Sequence, residues 1–285
     1  MLGHTVKSHL LSYPKDIQVQ HTTVNGNFDS IAFRAGVDKV SDLIKKTNPE
    51  FIINCIGIIK PRIDQTSTIS IENAIKVNSL FPYELERAAD DINAKVIQIA
   101  TDCVFSGNIG SYDESANQDA VDVYGKTKSL GEVNSSTFLN LRCSIIGLEF
   151  ERSTSLLEWV KNQPKNAKID GYTNHDWNGI TTLQFAKIVF GIIQNNDFRS
   201  GSLHVIPNGH VSKFELVHMI STKFHRSDIE IRPTSAENYV NRTLKTIYPE
   251  WNSVLWHNAG YSKIPTIEDM LQEVSDSWSL TKASI

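Results

Sequence analysis

The 285-residue chain holds only three cysteines, Cys55, Cys103 and Cys143, and no C-x-x-C pair. An odd count, each residue in or beside an apolar run, excludes a disulfide framework. It reads as buried free thiols in a reducing compartment, the cytoplasm, with a cysteine nucleophile or zinc site as the alternative. The nine histidines show neither HxxxH nor HExxH spacing, so no catalytic metal is expected. No apolar stretch approaches a membrane span, and the N-terminus carries no signal-peptide pattern. No long basic run is present and the net charge is -4, which argues against nucleic acid as a partner. Repeats, low-complexity tracts and clear linkers are missing as well. The length allows one large or two modest domains.

The informative stretch runs from Ile97 to Glu132. Val96-Ile97-Gln98-Ile99-Ala100 reads as a buried strand, with polar Thr101 and Asp102 at its carboxyl end. In open α/β sheets chemistry gathers at that edge. A loop rich in Gly, Asn, Ser and Asp leads to Tyr124-Gly125-Lys126-Thr127-Lys128, which opens a helical pattern. Residues four apart share one helix face, so Tyr124 and Lys128 project together. A phenol titrates near ~10 in water, and an ammonium beside it is expected to move it toward the working range. Thr101 completes a proton-transfer set. A lone Y-x-x-x-K is a weak signal; the preceding strand ending in Ala-Thr-Asp is what raises it.

ATDCVFSG followed by YGKTKSLGE resembles the extended short-chain dehydrogenase/reductases, and within them the dTDP-4-dehydrorhamnose reductase family. The resemblance implies an α/β fold: a Rossmann-type doubly wound parallel sheet with a smaller C-terminal substrate-binding part. The expected division is a nucleotide-binding part over 1–147 and a sugar-nucleotide-binding part over 148–285, with 175–205 returning to the first. It implies NAD(P)H-dependent reduction of a 4-keto-6-deoxy sugar nucleotide, dTDP-4-dehydrorhamnose to dTDP-rhamnose, for cell-surface polysaccharide synthesis. Tyr124 would protonate the C4 oxygen, Thr101 orient the carbonyl, and Lys128 bind the nicotinamide ribose and depress the phenol pKa. Alternatives on the same scaffold are an epimerase, another reductase, or a non-catalytic regulatory subunit like the β subunit of methionine adenosyltransferase. The oligomeric state stays open, a homodimer included.

Other segments follow the same resemblance. Met1 to Val6 reads as the end of a Gly-rich turn running into a helix over Lys7–Tyr13. Gly3 resembles the last glycine of G-x-x-G-x-x-G; the strand and further glycines before it are not in the sequence as written, so cofactor binding by this chain is in question. Leu2 and Gly3 are the cofactor contacts expected there. Ile17–His21 alternates as a second strand should. No acid follows it to hold a ribose hydroxyl, which leans toward NADP over NAD. Ala35-Gly36-Val37-Asp38 resembles a third strand ending in an adenine contact, Asp38, although the same Asp would serve as N-cap for a helix over Val40–Lys46. Phe51–Gly57 is a strand covered on both faces, and its turn, Cys55, Ile56 and Gly57, is expected under the adenosine. Asn78, in a helical pattern over Ser70–Ala89, is either an active-site neighbour or a residue on a polar face.

Ala100, Ser144 and Ile145 complete the expected cofactor contacts, the last two from the strand and turn over Thr137–Gly147. Arg142 in that strand reads as a structural ion-pair partner or a ligand contact. For the substrate, the resemblance points to Val104 and Phe105. Trp177 is either a stacking ring or core, and Arg242 or Lys245 either meets a diphosphate or is a solvated loop charge. Further helices are expected over Ser153–Asn162, Leu183–Gln194 with Thr182 as N-cap, and Ile267–Trp278. Ile169–Tyr172 begins a connector, and Gly201–Val205 is a strand. Ser212 with Glu215 forms a capping box, to which no chemistry is assigned.

Overall fold

The computed structural model describes residues 1–15, 17–149 and 155–283. Helix α1 (Leu2–Leu11) starts five residues earlier than its pattern suggested. The run Ile17–His21 forms no strand. Ile17 and Val19 pack against the core, but their backbone finds no ladder, and pairing begins only at β1 (Thr22–Thr23), parallel to β2 (Ile31–Ala32). Residues 35–38 are a turn, not a strand. The Asp38 carboxylate accepts from the Arg34 amide at 2.6 Å, so it closes that turn and does not cap α2 (Val40–Thr47), whose N-cap is Lys39.

The central sheet is built from β3 (Phe51–Asn54) and β4 (Lys95–Thr101), both rich in β-branched residues, with β5 (Phe138–Cys143) and, further on, β10 (Gly201–His204). All are parallel, in the order β10-β5-β4-β3. Between β3 and β4 the expected single helix is divided into α3 (Thr68–Ala74), a π-helical segment (Ile75–Leu80) and α4 (Phe81–Asp90). Helix α5 (Val123–Leu130) joins β4 to β5, with Asp122 as its N-cap accepting from Gly125 N at 2.8 Å.

Alternation along the strands fixes two apolar layers. Ile97, Leu139 and Leu141 face the larger core with α1, and Val96 and Phe138 face α2 and α4. A row of amides crosses the second face at matched register. Asn54 Nδ2 donates to Gln98 Oε1 (2.7 Å), Gln98 Nε2 to Asn140 Oδ1 (3.0 Å) and to Gly131 O (2.8 Å), and Asn140 Nδ2 to Val133 O (2.8 Å). A one-residue slip would bury these groups without partners, so the row pins the register.

After β6 (Ile145–Ile146) comes α6 (Leu156–Lys161); the expected helix start at Ser153 lies outside the described residues. The expected connector at Ile169 is instead β7 (Lys168–Tyr172), because β12 (Glu230–Thr234), 62 residues on, pairs with it in parallel. β8 (His175–Trp177) and β9 (Ile180–Thr181) lead into α7 (Thr182–Gln194), capped by Thr181 and not Thr182. α7 packs on α1, and β10 then joins β5 in the central sheet. β11 (Val211–Ser212), α8 (Lys213–Lys223) with its Ser212–Glu215 capping box, β13 (Val240–Asn241), α9 (Pro249–Asn258) and α10 (Ile267–Ala283) complete the chain. β8 is the centre of a small sheet, β11-β8-β13.

Candidate active site

The site forms where β4 ends. Thr101, 8% exposed, caps a short turn over Asp102–Val104: its hydroxyl accepts from Cys103 N at 3.2 Å and donates to the Asp102 carboxylate at 3.3 Å. Helix α5 presses directly on this turn. A β-carbon on Gly125 would overlap the Cys103 carbonyl oxygen, so only glycine allows the approach. That approach carries Tyr124, in the first turn of α5, to the Thr101 hydroxyl, whose hydrogen bonding pulls the phenol pKa down.

Burial outweighs that pull and drives the Tyr124 pKa well above its ordinary value, helped by Cys103 and the nearby carboxylates Asp102 and Asp122. The expected movement toward neutrality is therefore absent in this state. Lys128 does project from the same helix face, but its ammonium donates to the Ile99 carbonyl at 3.0 Å. Its side chain is buried, and burial lowers its pKa to about 8 against the pull of Glu132 and Cys55. An ammonium has three donors, and this one spends a single hydrogen bond among the described residues.

Asn78 ties the opposite wall to α5. Its Oδ1 accepts from Ile58 N (2.8 Å), and its Nδ2 donates to Ile58 O (2.9 Å) and to Thr127 Oγ1 (3.2 Å). The π turn sets it there, an irregularity that recurs at functional sites. Asn78 thereby holds the Cys55-Ile56-Gly57 turn in place; Gly57, exposed and without a side chain, leaves that backbone open to approach. Gly3 is exposed at the head of α1, beside Cys55, and Leu2 points into the core. A helix N-terminus presents its amides and the positive end of its dipole, which is attractive to anions. Ala100 is 1% exposed. The Ser144 hydroxyl accepts from Trp177 Nε1 at 2.8 Å, and Ile145 pairs with Ile180.

The expected substrate contacts lie further in. Val104 and Phe105 are fully buried, and Phe105 stacks on Tyr112 with centroids 4.3 Å apart. Their side chains serve the core, and any effect on a ligand passes through the loop they anchor. Trp177 is buried as well, with Lys213 Nζ 5.3 Å from its ring centroid. Arg242 Nε donates to Phe105 O at 2.8 Å, and its charge acts on Asp102. Lys245 pairs with Asp113 at 3.3 Å. Arg142 is structural: buried, it forms an ion pair with Glu132 and donates to His204 Nε2 at 2.7 Å.

Two groups carry charge at the site without a role in the sequence reading, Asp102, noted only as a polar strand end, and Lys213. The Asp102 carboxyl is raised by burial, while Arg242 and Lys213 oppose the rise. Lys213, at the head of α8, is lowered to about 8 by burial against the pull of Asp102. It sits inside the capping-box motif, which signals a helix start and nothing about long-range neighbours. Cys55 and Cys103 are pushed up to about 12 by burial, which leaves both thiols protonated and inert. Among the described residues no group of three or more His, Cys, Asp or Glu is placed to hold a metal ion, and no helix is long and apolar enough to cross a membrane.

The family model described as the RmlD substrate binding domain matches residues 14–279. The chain belongs to this family. It is 22% identical over 246 residues to the dTDP-4-keto-6-deoxy-D-glucose reductase of Streptomyces niveus, spanning 83% of this chain and 80% of that one. It is 24% identical over 213 residues to methionine adenosyltransferase 2 subunit beta of Xenopus tropicalis, covering 70% of this chain and 61% of the relative. Among solved structures it superposes on the dTDP-4-dehydrorhamnose reductase of Bacillus anthracis in complex with NADP, with a TM-score of 0.69 at 18% identity over 87% of this chain and 90% of that one. The fold is thus α/β, a parallel sheet of Rossmann type.

Proposed function

We propose that the chain reduces a 4-keto-6-deoxy sugar nucleotide, dTDP-4-dehydrorhamnose to dTDP-rhamnose, with NADPH or NADH, as a step in cell-surface polysaccharide synthesis in the cytoplasm. The observation that carries the reading is the convergence of Thr101, Tyr124 and Lys128 at the carboxyl end of β4. Reduction of a ketone needs an acid that is protonated at working pH, and a buried phenol raised above its ordinary pKa meets that need. Thr101 would hold the carbonyl oxygen beside the phenol. Lys128, with donors to spare and its charge buried, would steady the phenolate that proton donation leaves.

A nicotinamide cofactor supplies hydride when bound. The residues present fit it: the Lys128 ammonium would meet the nicotinamide ribose, and the open Cys55–Gly57 turn, held by Asn78, would lie under the adenosine, with Gly3 at the head of α1. Asp102, Arg242 and Lys213 are the charged groups set to meet the sugar nucleotide. The pull toward NADP rests on the missing acid after His21.

The test is NADPH and NADH oxidation with dTDP-4-dehydrorhamnose, product identified by mass spectrometry, beside Tyr124→Phe. Turnover by the parent and none by the variant supports the reading. Turnover of other keto sugars only would move the chain to another reductase, and interconversion without net cofactor oxidation to an epimerase. No turnover with intact cofactor binding would favour a regulatory subunit, the reading that similarity to the methionine adenosyltransferase subunit supports.

A further inference from the structure

Helix α5 ends at Leu130, but its winding runs on: Glu132 N donates to Ser129 O at 3.2 Å, which keeps Glu132 one turn beyond Lys128. Residues four apart stack on one helix face. Gly131 lets the chain pass close to Asn78, since a β-carbon there would overlap the Asn78 carbonyl oxygen. Tyr124, Lys128 and Glu132 therefore follow one another along one face, a phenol, an ammonium and a carboxylate.

The carboxylate is locked in place. Four donors fill it: Arg142 Nε reaches Oε1 at 3.0 Å, while Arg142 Nη2, Gln118 Nε2 (2.9 Å) and Ser202 Oγ (3.2 Å) reach Oε2. They come from β5, from β10 and from the loop before α5. Arg142 in turn spends Nη1 on His204 Nε2, whose Nδ1 donates to Lys245 O. An ionised carboxylate, an acceptor only, suits this set; a protonated one would have to donate in its turn and finds donors on every side.

The Glu132 and Arg142 side chains are 5% and 2% exposed. Replacing a buried ion pair by apolar side chains of like volume is often neutral or stabilising, so stability alone is a poor reason for this one. Lys128 offers a better reason. Burial strips its ammonium of water and lowers its pKa to about 8, and an opposite charge nearby holds the proton on. The two groups whose charge acts in that sense are Glu132 and Cys55. Cys55, pushed up to about 12 by burial, is a neutral thiol at working pH. The remaining polar neighbours of the ammonium are the Ile99 carbonyl on β4 and the phenol of Tyr124 on its own helix face. That leaves Glu132.

We propose that Glu132 is the positioning residue for Lys128: its carboxylate, fixed by Arg142, Gln118 and Ser202, keeps Lys128 an ammonium beside Tyr124. The consequence for turnover rests on the reductase reading; the charge relation between Glu132 and Lys128 does not. Glu132 acts through Lys128 alone and needs no contact with a ligand.

The full chain is labelled with carbon-13 at lysine Cε and titrated from pH 6 to 11. The Lys128 resonance is assigned by its absence in Lys128→Met, and that of Lys213, also lowered to about 8, by its absence in Lys213→Met. In Glu132→Gln the Lys128 midpoint should fall by about one pH unit or more. The Lys213 midpoint should stay where it is. Glu132→Asp, which keeps the charge, should return most of the Lys128 midpoint. Because Glu132→Gln strands the Arg142 guanidinium, the change is also made together with Arg142→Met, and the same fall is expected. In the rate profile the alkaline limb of kcat should move down with the midpoint, so that turnover lost at pH 8 recovers on acidification.

An unmoved Lys128 midpoint in either folded variant overturns the proposal. So does a fall shared equally by Lys213, or failure of both variants to fold, since each would make the pair purely structural. Turnover that ignores the shifted midpoint overturns it too and leaves the reductase reading standing. A shifted midpoint in a chain whose parent shows no turnover supports the charge relation and counts against the reductase reading alone.

Discussion

Gly125 lies against Cys103 so closely that a β-carbon on the glycine would overlap the cysteine's carbonyl oxygen. That contact sets the distance between the helix carrying Tyr124 and the turn carrying Thr101. Gly125→Ala should therefore push α5 away from the turn. Overpacking of this kind costs about 1–3 kcal/mol. The expected outcome is a lower thermal midpoint together with a fall in turnover larger than the loss of folded protein explains. A fully active, equally stable variant would show that the site does not depend on this approach.

Tyr124→Phe removes one oxygen and leaves the ring. If Tyr124 supplies the proton, kcat should fall by about 10²–10⁴. Cofactor affinity, measured by fluorescence quenching, should change little because Lys128 keeps its bond to Ile99 O. A variant that turns over at the parent rate would remove the phenol from the chemistry.

Lys128 makes activity and stability run in opposite directions with pH. Burial lowers its pKa from 10.5 to about 8, so between those values the unfolded chain binds the extra proton. Stability then rises with pH across this window. The charge that would steady a phenolate is lost over the same range, so turnover should decline above pH 8. Paired denaturation and rate profiles from pH 7 to 10 check both slopes, and Lys128→Met should flatten the Lys128 share of the stability slope.

His204 predicts an acid limb. Its Nε2 accepts from Arg142, which can only donate, and its Nδ1 donates to Lys245 O at 2.7 Å, so the neutral tautomer is fixed by its partners. Burial first and the Arg142 charge second lower its pKa to about 4, with Glu114 and Glu132 opposing. Since the unfolded value is 6.5, stability present above that pH should be lost as pH falls toward 4. Melting curves of the parent and His204→Gln between pH 7 and 4.5 test this; the variant should lose less stability over the interval.

What was legible in the sequence was local. The Ala-Thr-Asp strand end, the Tyr124–Lys128 spacing and the Ser212–Glu215 box each sit within a few residues, where periodicity and hydrogen-bond chemistry decide the outcome. Asn78 was noticed but not its partners, because Ile58 and Thr127 reach it only through a π turn. β7 was missed because its partner strand starts at Glu230. The alternation at Ile17–His21 suggested a strand, yet a strand also needs a neighbour at matched register. The phenol's direction of shift was misjudged for a similar reason: the i+4 spacing places Lys128 correctly but says nothing of how deeply Tyr124 is buried, nor that Ile99 O accepts the ammonium's hydrogen bond.

The amide row through Asn54, Gln98 and Asn140 has a mechanical consequence. It ends on Gly131 O and Val133 O, just past α5, so the edge strand and the proton-donor helix are bolted to one crossbar. Shifting β3 alone would strand buried amides at about 1–3 kcal/mol each. The floor of the cleft therefore moves as a plate, and a ligand that displaces either end should be felt at the other.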